Sequence, residues 1–112
     1  MADAPVIVVG AGIAGLTCAL SLARSGYRVA LVEKRTQFEE VGAGLQLSPN
    51  ASQILIELGL GKALRRAACE PVSLDVVLAR SGKRLARVPL GDAMSGRYGA
   101  PYLVIHLSLI HI

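Results

Sequence analysis

The chain of 112 residues has few of the side chains that build several common kinds of site. Aromatic residues make up 4% of it and Trp is missing, so it lacks the stacking platforms of a single-strand nucleic-acid binder. Lys and Arg outnumber Asp and Glu by only 12 to 8, a modest excess for a protein that tracks phosphates. We therefore expect no nucleic-acid partner.

Cysteine and histidine are also scarce, with two of each. Neither Cys18 nor Cys69 belongs to a C-x-x-C pair, so a reduced, cytoplasmic setting is the default. Cys18 lies in an apolar run and is predicted to be a buried small residue. His106 and His111 fall on opposite faces of an extended run, and neither has a carboxylate or thiol nearby in the sequence. The sequence therefore predicts no metal site.

Residues 4–23 contain no charge, and a run of this length is long enough to cross a bilayer. A secretory leader needs a basic segment ahead of its apolar run, whereas Asp3 precedes this one and the first base is Arg24. Glycines at fixed spacing also suit a turn between a strand and a helix better than a membrane span. We therefore expect no membrane segment.

The N-terminal third has the pattern of a strand, a helix and a second strand. The β-branched run at residues 5–9 (PVIVV) predicts a strand that is buried on both faces. Apolar residues then recur at helical spacing from Leu16 to Ala23, and residues 27–33 (YRVALVE) predict another strand. Residues 5–33 therefore predict one βαβ unit.

The middle of the chain alternates between loop and helix signals. Residues 36–47 predict a loop, and Ser48 and Pro49 have the residue types of an N-cap and a first helical position. A helix is predicted over residues 50–60 and a shorter one over 62–68. The positions of the first helix predicted to face inward are Ile54, Leu55 and Leu58.

The last part of the chain carries the alternation typical of strands. Residues 72–80 and 83–90 predict two strands joined by a turn at residues 81–82. Residues 91–99 contain three glycines and predict a loop, and residues 101–112 form another extended apolar run.

Three glycines, Gly10, Gly12 and Gly15, follow the first strand at the spacing G-x-G-x-x-G. In a dinucleotide-binding unit the first permits a tight turn, the second lets the backbone approach a pyrophosphate, and the third lets the helix pack closely on the strands. The helix N-terminus adds unpaired N–H groups and a partial positive charge. The sequence therefore predicts a phosphate site at this turn.

A carboxylate completes this prediction, because Glu33 ends the second strand, 18 residues past Gly15. At that position it can accept hydrogen bonds from both ribose hydroxyls of an adenosine, and it would repel a ribose 2′-phosphate. Lys34 and Arg35 either contact the adenosine end or are solvated loop charges. The candidate cofactor-binding residues of the unit are Gly10, Ala11, Gly12, Ile13, Ala14, Gly15, Glu33, Lys34 and Arg35.

The glycine motif does not separate FAD from NAD, and the next segment bears on that choice. Residues 41–51 read VGAGLQLSPNA. Together with Glu33 and its basic neighbour, this segment resembles the flavin-dependent aromatic hydroxylases, the salicylate and p-hydroxybenzoate hydroxylase-like monooxygenases. The likeness extends to YGAPYLVIH at residues 98–106. It implies an α/β fold, a Rossmann-like βαβ FAD-binding lobe with a β-hairpin excursion, truncated, with Ala43 and Gly44 on the flavin side.

The resemblance also implies a chemistry. In that family NADH or NADPH reduces FAD, the reduced flavin reacts with O₂, and one oxygen atom enters an aromatic ring. The flavin carries the reaction, and the protein positions it and excludes water. No residue of this chain is identified as an acid, a base or a nucleophile.

Enzymes of that family are much longer than this chain, so residues 1–106 are interpreted as the N-terminal part of an FAD-binding domain. Such a fragment is not expected to catalyse the reaction alone. After His106 the family usually has Arg, whereas this chain has Leu107, and residues 107–112 (LSLIHI) are expected to be a non-native tail. Two alternatives stay open: an NAD-binding oxidoreductase domain of another family, and a non-catalytic truncated product.

Overall fold

The computed structural model describes residues 4–37 and 44–106, in which short strands and helices alternate. The strands are β1 (Val6–Val9), β2 (Val29–Val32), β3 (Gly44–Leu47), β4 (Ala68–Cys69), β5 (Ser73–Val77), β6 (Arg84–Pro89) and β7 (Leu103–His106). The helices are α1 (Ile13–Arg24), α2 (Pro49–Leu55), α3 (Gly61–Ala67) and α4 (Gly91–Tyr98), and a kinked helical segment (Ile56–Leu60) joins α2 to α3. The strands form a parallel pair β1–β2, an antiparallel sheet in the order β3-β7-β4, and a hairpin β5–β6.

The predicted βαβ unit is confirmed. Strands β1 and β2 run parallel with Val6 opposite Val29 and Val9 opposite Val32, and α1 crosses between them. The prediction of a strand buried on both faces is wrong for the described residues, because Val9 is 82% exposed. Cys18 on α1 is likewise exposed rather than buried. One helix and two strands cover each other on one side only, so the outer faces of the unit stay open.

Strand β3 lies inside the stretch predicted as a loop, so that prediction is wrong for Gly44–Leu47. The strand pairs antiparallel with β7, from Gly44 opposite His106 to Leu47 opposite Leu103. Its partner lies more than fifty residues further along the chain, and local composition carries no signal for such a pairing. Ala43, which the family resemblance places on the flavin side, lies outside the described residues.

Helix α2 begins as predicted, with Ser48 at the N-cap and Pro49 in the first turn. The Ser48 hydroxyl, however, contacts the Asn50 side chain instead of a backbone N–H. Ile54 was predicted to face inward and is 47% exposed, whereas Leu55 is buried as predicted. Neighbouring residues lie about 100° apart around a helix, and in α2 this turns Ile54 away from the core that Leu55 contacts.

The hydrophobic core lies between the three-stranded sheet and the helices α2 and α3. Its buried members are Leu47, Leu55, Leu64, Leu103 and Ile105. Ser52 on α2 is fully buried, and its hydroxyl donates a hydrogen bond to the carbonyl of Pro101 over 2.6 Å. This bond ties α2 to the segment that leads into β7, so the polar group in the core is satisfied.

Residues 91–99 were predicted to be a loop and instead contain α4, so this prediction is wrong. Gly91 and Gly99 have φ values of +51° and +73°, and they mark the two ends of the helix rather than interrupting it. A left-handed glycine just after the last turn is a common helix stop. Two of the three glycines that indicated a loop therefore mark the helix boundaries, and the third, Gly96, lies within α4.

The chain is elongated, with a radius of gyration of 17.6 Å. A compact domain of this length has a radius of about 13 Å. Part of the extension comes from the predicted hairpin, which is confirmed as β5–β6 and is exposed along most of its length. Among residues 4–37 and 44–106, no helix combines the length and hydropathy that a bilayer crossing requires.

The core predicts a clear contrast between two leucines. Leu103 is 5% exposed and belongs to the core, so Leu103→Ala is expected to reduce the free energy of unfolding by about 2–4 kcal/mol. Leu85 in the hairpin is 57% exposed, and the same substitution there should cost less than about 1 kcal/mol. Urea denaturation followed by circular dichroism measures both. Equal losses would contradict the position of the core.

The hairpin predicts an unusual titration of Asp75. This carboxylate accepts hydrogen bonds from Nε and Nη2 of Arg87, each over 2.7 Å, and they lower the pKa of Asp75 from 3.8 to about 2. The stabilisation by this pair is therefore complete above pH 3.8 and is lost as the pH falls through about 2. Arg87→Gln should return the NMR titration midpoint of Asp75 toward 3.8, while Arg80→Gln in the hairpin turn should leave it near 2. An Asp75 midpoint that stays near 2 in Arg87→Gln would contradict the ion pair.

Candidate functional site

The turn after β1 is shaped by Gly10. Its φ is +100°, a backbone conformation that residues with a Cβ rarely adopt. The turn therefore requires glycine at this position. The Gly10 N–H donates a hydrogen bond to the carbonyl of Val32 over 2.7 Å. The turn is thereby held against the end of β2.

Gly15 is required by packing. A Cβ built on Gly15 would lie 1.8 Å from the carbonyl oxygen of Gly10 and 2.9 Å from its carbonyl carbon. Both are backbone atoms, so no side-chain movement relieves the overlap. Only glycine lets α1 lie this close to the turn, which agrees with the packing role expected of the third glycine of the motif.

Gly12 differs from the other two glycines, because nothing in the described protein requires it. Its φ is −73° and its ψ is −177°, an extended conformation open to any residue. A Cβ at this position would meet no protein atom within 4 Å. Gly12 is exposed, and it lines the open cleft described below.

The N-terminus of α1 faces the same region with free donors. The first intrahelical hydrogen bond runs from the Leu16 N–H to the Gly12 carbonyl over 2.9 Å. The N–H groups of Ile13, Ala14 and Gly15 therefore have no acceptor within the helix. The N-cap residue, Gly12, has no side chain that could accept a hydrogen bond from these N–H groups, and the first turn contains no acidic residue. The helix dipole adds a partial positive charge, so this end suits an anion.

Glu33 joins the two loops at this edge of the strands. Its Oε2 accepts a hydrogen bond from the Ala11 N–H over 2.7 Å, and its Oε1 accepts one from the Arg35 N–H over 3.0 Å. The N–H groups of Arg35 and then Ala11 lower the pKa of Glu33 below its usual value of 4.5. The side chain is therefore a carboxylate at neutral pH.

A cleft of about 420 Å³ gathers these groups at the carboxyl ends of β1 and β2. Its lining residues are Val9, Gly10, Ala11, Gly12, Val32, Glu33, Lys34 and Arg35. Val9 and Val32 were not predicted to belong to the site. They could have been inferred, because the last residues of two parallel strands meet at one edge of a sheet.

The other residues singled out from the sequence lie elsewhere. Ile13, Ala14 and Gly15 belong to the first turn of α1 and are not among the residues that line the cleft. Gly44 lies in β3 opposite His106 and does not line the cleft, and Ala43 is outside the described residues. Across residues 4–37 and 44–106, no three metal-ligating side chains come together.

Taken together, a parallel βαβ unit with a glycine turn, a free helix N-terminus and a carboxylate at the end of β2 defines a dinucleotide-binding protein. The chain belongs to the FAD dependent oxidoreductase (DAO) family, whose model matches residues 5–83. This membership decides against the alternative of an NAD-binding domain from another family.

Two curated relatives indicate which enzymes of this family the chain is similar to. The chain is 44% identical to a 3-amino-4-hydroxybenzoate 2-monooxygenase of Streptomyces platensis, covering 95% of this chain and 27% of that protein. It is 40% identical to a 3-hydroxybenzoate 6-hydroxylase of Polaromonas naphthalenivorans, covering 99% of this chain and 28% of that protein. The resemblance to flavin-dependent aromatic hydroxylases is thereby confirmed, and the chain spans about a quarter of the length of these relatives.

A solved structure supports the fold. HpxO of Klebsiella pneumoniae, determined in complex with FAD and uric acid, superimposes with a TM-score of 0.83 at 24% identity. The match covers 95% of this chain and 26% of that chain. The predicted α/β class, with a Rossmann-like βαβ lobe and a hairpin excursion, is confirmed.

The unequal demands on two glycines give a test of folding alone. Gly15→Ala forces a methyl group into the Gly10 carbonyl and should reduce the free energy of unfolding by about 3 kcal/mol or more. Gly12→Ala meets open space and loses only the N-cap preference for glycine, less than about 1 kcal/mol. Urea denaturation compares the two variants. A Gly12→Ala protein as unstable as Gly15→Ala would show that Gly12 also serves packing.

Proposed function

We propose that this chain is the N-terminal part of the FAD-binding domain of a flavin-dependent monooxygenase that hydroxylates an aromatic compound with NAD(P)H and O₂. The observation that supports this most strongly is Gly12. The fold requires glycine at residues 10 and 15 but not at residue 12, which lines the cleft and has open space where its Cβ would be. Close approach of a bound pyrophosphate accounts for the missing side chain.

The residues present fit the ADP half of FAD. The pyrophosphate would lie against the N–H groups of the glycine turn and the first turn of α1, where the helix dipole favours it. The Glu33 carboxylate would accept the ribose hydroxyls, with Lys34 and Arg35 beside the adenosine end. Ala43 and Gly44 would lie toward the flavin, as the family resemblance implies. FAD itself would supply the redox and oxygen chemistry, and these residues would bind and orient it.

The substrate class comes from the relatives. The two curated relatives named above act on a 3-amino-4-hydroxybenzoate and a 3-hydroxybenzoate. A hydroxylated benzoate is therefore the proposed kind of substrate. Separately, we propose that the enzyme is located in the cytoplasm. Residues 1–106 would form one continuous part of the cofactor domain. The substrate-binding residues would belong to a further part of the enzyme, which corresponds to the portion of the relatives that this chain does not match.

Binding of ADP to the 112-residue chain tests the cofactor site directly. The chain should bind ADP in an NMR titration, and Gly12→Ala should weaken binding at least about tenfold, because a methyl group would separate the phosphates from the backbone. Gly96→Ala is the matched control, since Gly96 on α4 also faces open space but lies away from the cleft. Equal ADP binding by both variants would contradict the site.

The reaction needs a longer polypeptide that carries this sequence. Such a protein should purify with flavin absorbance, oxidise NADH or NADPH faster when a hydroxybenzoate is added, and place one ¹⁸O atom from ¹⁸O₂ in the product. A colourless protein that remains unstimulated by every aromatic acid tested would refute the proposed function.

A further inference from the structure

The Glu33 carboxylate makes two hydrogen bonds without any ligand, both to backbone N–H groups. Its Oε2 is 2.7 Å from the Ala11 nitrogen, inside the glycine turn, and its Oε1 is 3.0 Å from the Arg35 nitrogen, in the loop after β2. One side chain therefore connects the two loops that line the cleft.

We propose that Glu33 is a positioning residue that fixes the glycine turn before the cofactor arrives, in addition to any contact with the ribose. This inference rests on the proposed function, because it concerns the same ADP-binding cleft. The turn is then held at two successive residues: the Gly10 N–H bonds to the Val32 carbonyl and the Ala11 N–H bonds to Glu33. A turn that is already ordered loses less conformational freedom when a pyrophosphate binds.

Burial supports a positioning role. Ala11 is 3% exposed, so its N–H has little access to water and depends on the Glu33 oxygen for a hydrogen-bond partner. A buried N–H without a partner is costly, and the turn would rearrange to satisfy it. The loss of Glu33 would therefore move the backbone that faces the phosphates.

Positioning does not compete with ribose binding. A carboxylate has about four acceptor positions, and the two backbone N–H groups use one on each oxygen. Each oxygen keeps a further lone pair for a ribose hydroxyl. The charged side chains that line the cleft with Glu33 are Lys34 and Arg35, and the Arg35 charge also lowers the Glu33 pKa.

Glutamine is a suitable replacement, because it keeps the size of the side chain but has only one acceptor oxygen. It can satisfy the N–H of Ala11 or of Arg35, and its NH₂ group then faces the other N–H as a second donor. Glu33→Gln therefore breaks at least one connection without opening a cavity.

A ligand that lacks the ribose hydroxyls separates three possible roles of Glu33. If Glu33 only binds ribose, Glu33→Gln will not change the affinity for 2′,3′-dideoxy-ADP. If its charge only repels phosphates, the substitution will tighten binding of that ligand. If Glu33 positions the turn, the substitution will weaken binding of that ligand, by roughly three- to tenfold for the loss of one hydrogen bond.

The experiment measures ADP and 2′,3′-dideoxy-ADP binding to the 112-residue chain and to Glu33→Gln by NMR titration. Glu57→Gln is the control, because the Glu57 side chain bonds to Gln53 away from the cleft. We expect weaker binding of both nucleotides by Glu33→Gln and unchanged binding by the control. Unchanged or tighter binding of the dideoxy nucleotide by Glu33→Gln would overturn the inference.

A second measurement needs no ligand and no variant. In the unmodified chain, the amide proton shifts of Ala11 and Arg35 should move together with the Glu33 carboxyl as it is protonated, at a midpoint below 4.5. Amide shifts that stay constant through that titration would show that the bonds are absent in solution, and the inference would be wrong.

These results keep the two proposals apart. If the unmodified chain binds ADP but the Ala11 amide proton shift does not change as Glu33 is protonated, the positioning role is wrong and the proposed ADP site is unaffected. If the chain binds neither nucleotide, the cofactor proposal fails for this chain, and the amide titration alone decides whether Glu33 holds the turn.

Discussion

The contact between the carbonyl of Gly10 and the backbone of Gly15 is the constraint on which the geometry of the βαβ unit depends. A side chain at residue 15 would begin 1.8 Å from that oxygen, so α1 reaches its position only because residue 15 has none. This close approach brings the free N–H groups of the helix to the edge where β1 ends. The proposed anion site would therefore follow from a packing contact, and no charged side chain would be needed to create it.

The hydrogen bonds from the turn to the end of β2 turn this geometry into a site with two parts. Parallel strands joined by one helix finish at the same edge, so the glycine turn and the carboxylate of Glu33 meet there. The Gly10 and Ala11 N–H groups bond to Val32 and Glu33 respectively, which sets the spacing between the two parts. The site is thus positioned by backbone hydrogen bonds, although the strands around it are largely exposed.

Local patterns in the sequence predicted the βαβ unit and the hairpin, because each is formed by residues close together in the chain. They did not predict β3, whose partner β7 lies far along the sequence. The helix α4 was missed because its glycines were counted as loop formers, whereas Gly91 and Gly99 set its ends. For the site, spacing identified the glycines and Glu33, but the bond between Glu33 and Ala11 depends on how the two strands align, which composition does not report.

The βαβ unit and the part of the described chain that follows it differ in how they are packed. The core of Leu47, Leu55, Leu64, Leu103 and Ile105 lies after the βαβ unit, whereas α1 has no buried residue and Val9 is 82% exposed. The cleft is nevertheless well defined, because the glycine contact and the bonds to β2 involve only residues 10–35. Under the proposed function, recognition of the adenosine diphosphate portion of FAD would therefore be a local property of the βαβ unit. Selection of an aromatic substrate would not be local to it, since the relatives extend well beyond the quarter of their length that this chain spans.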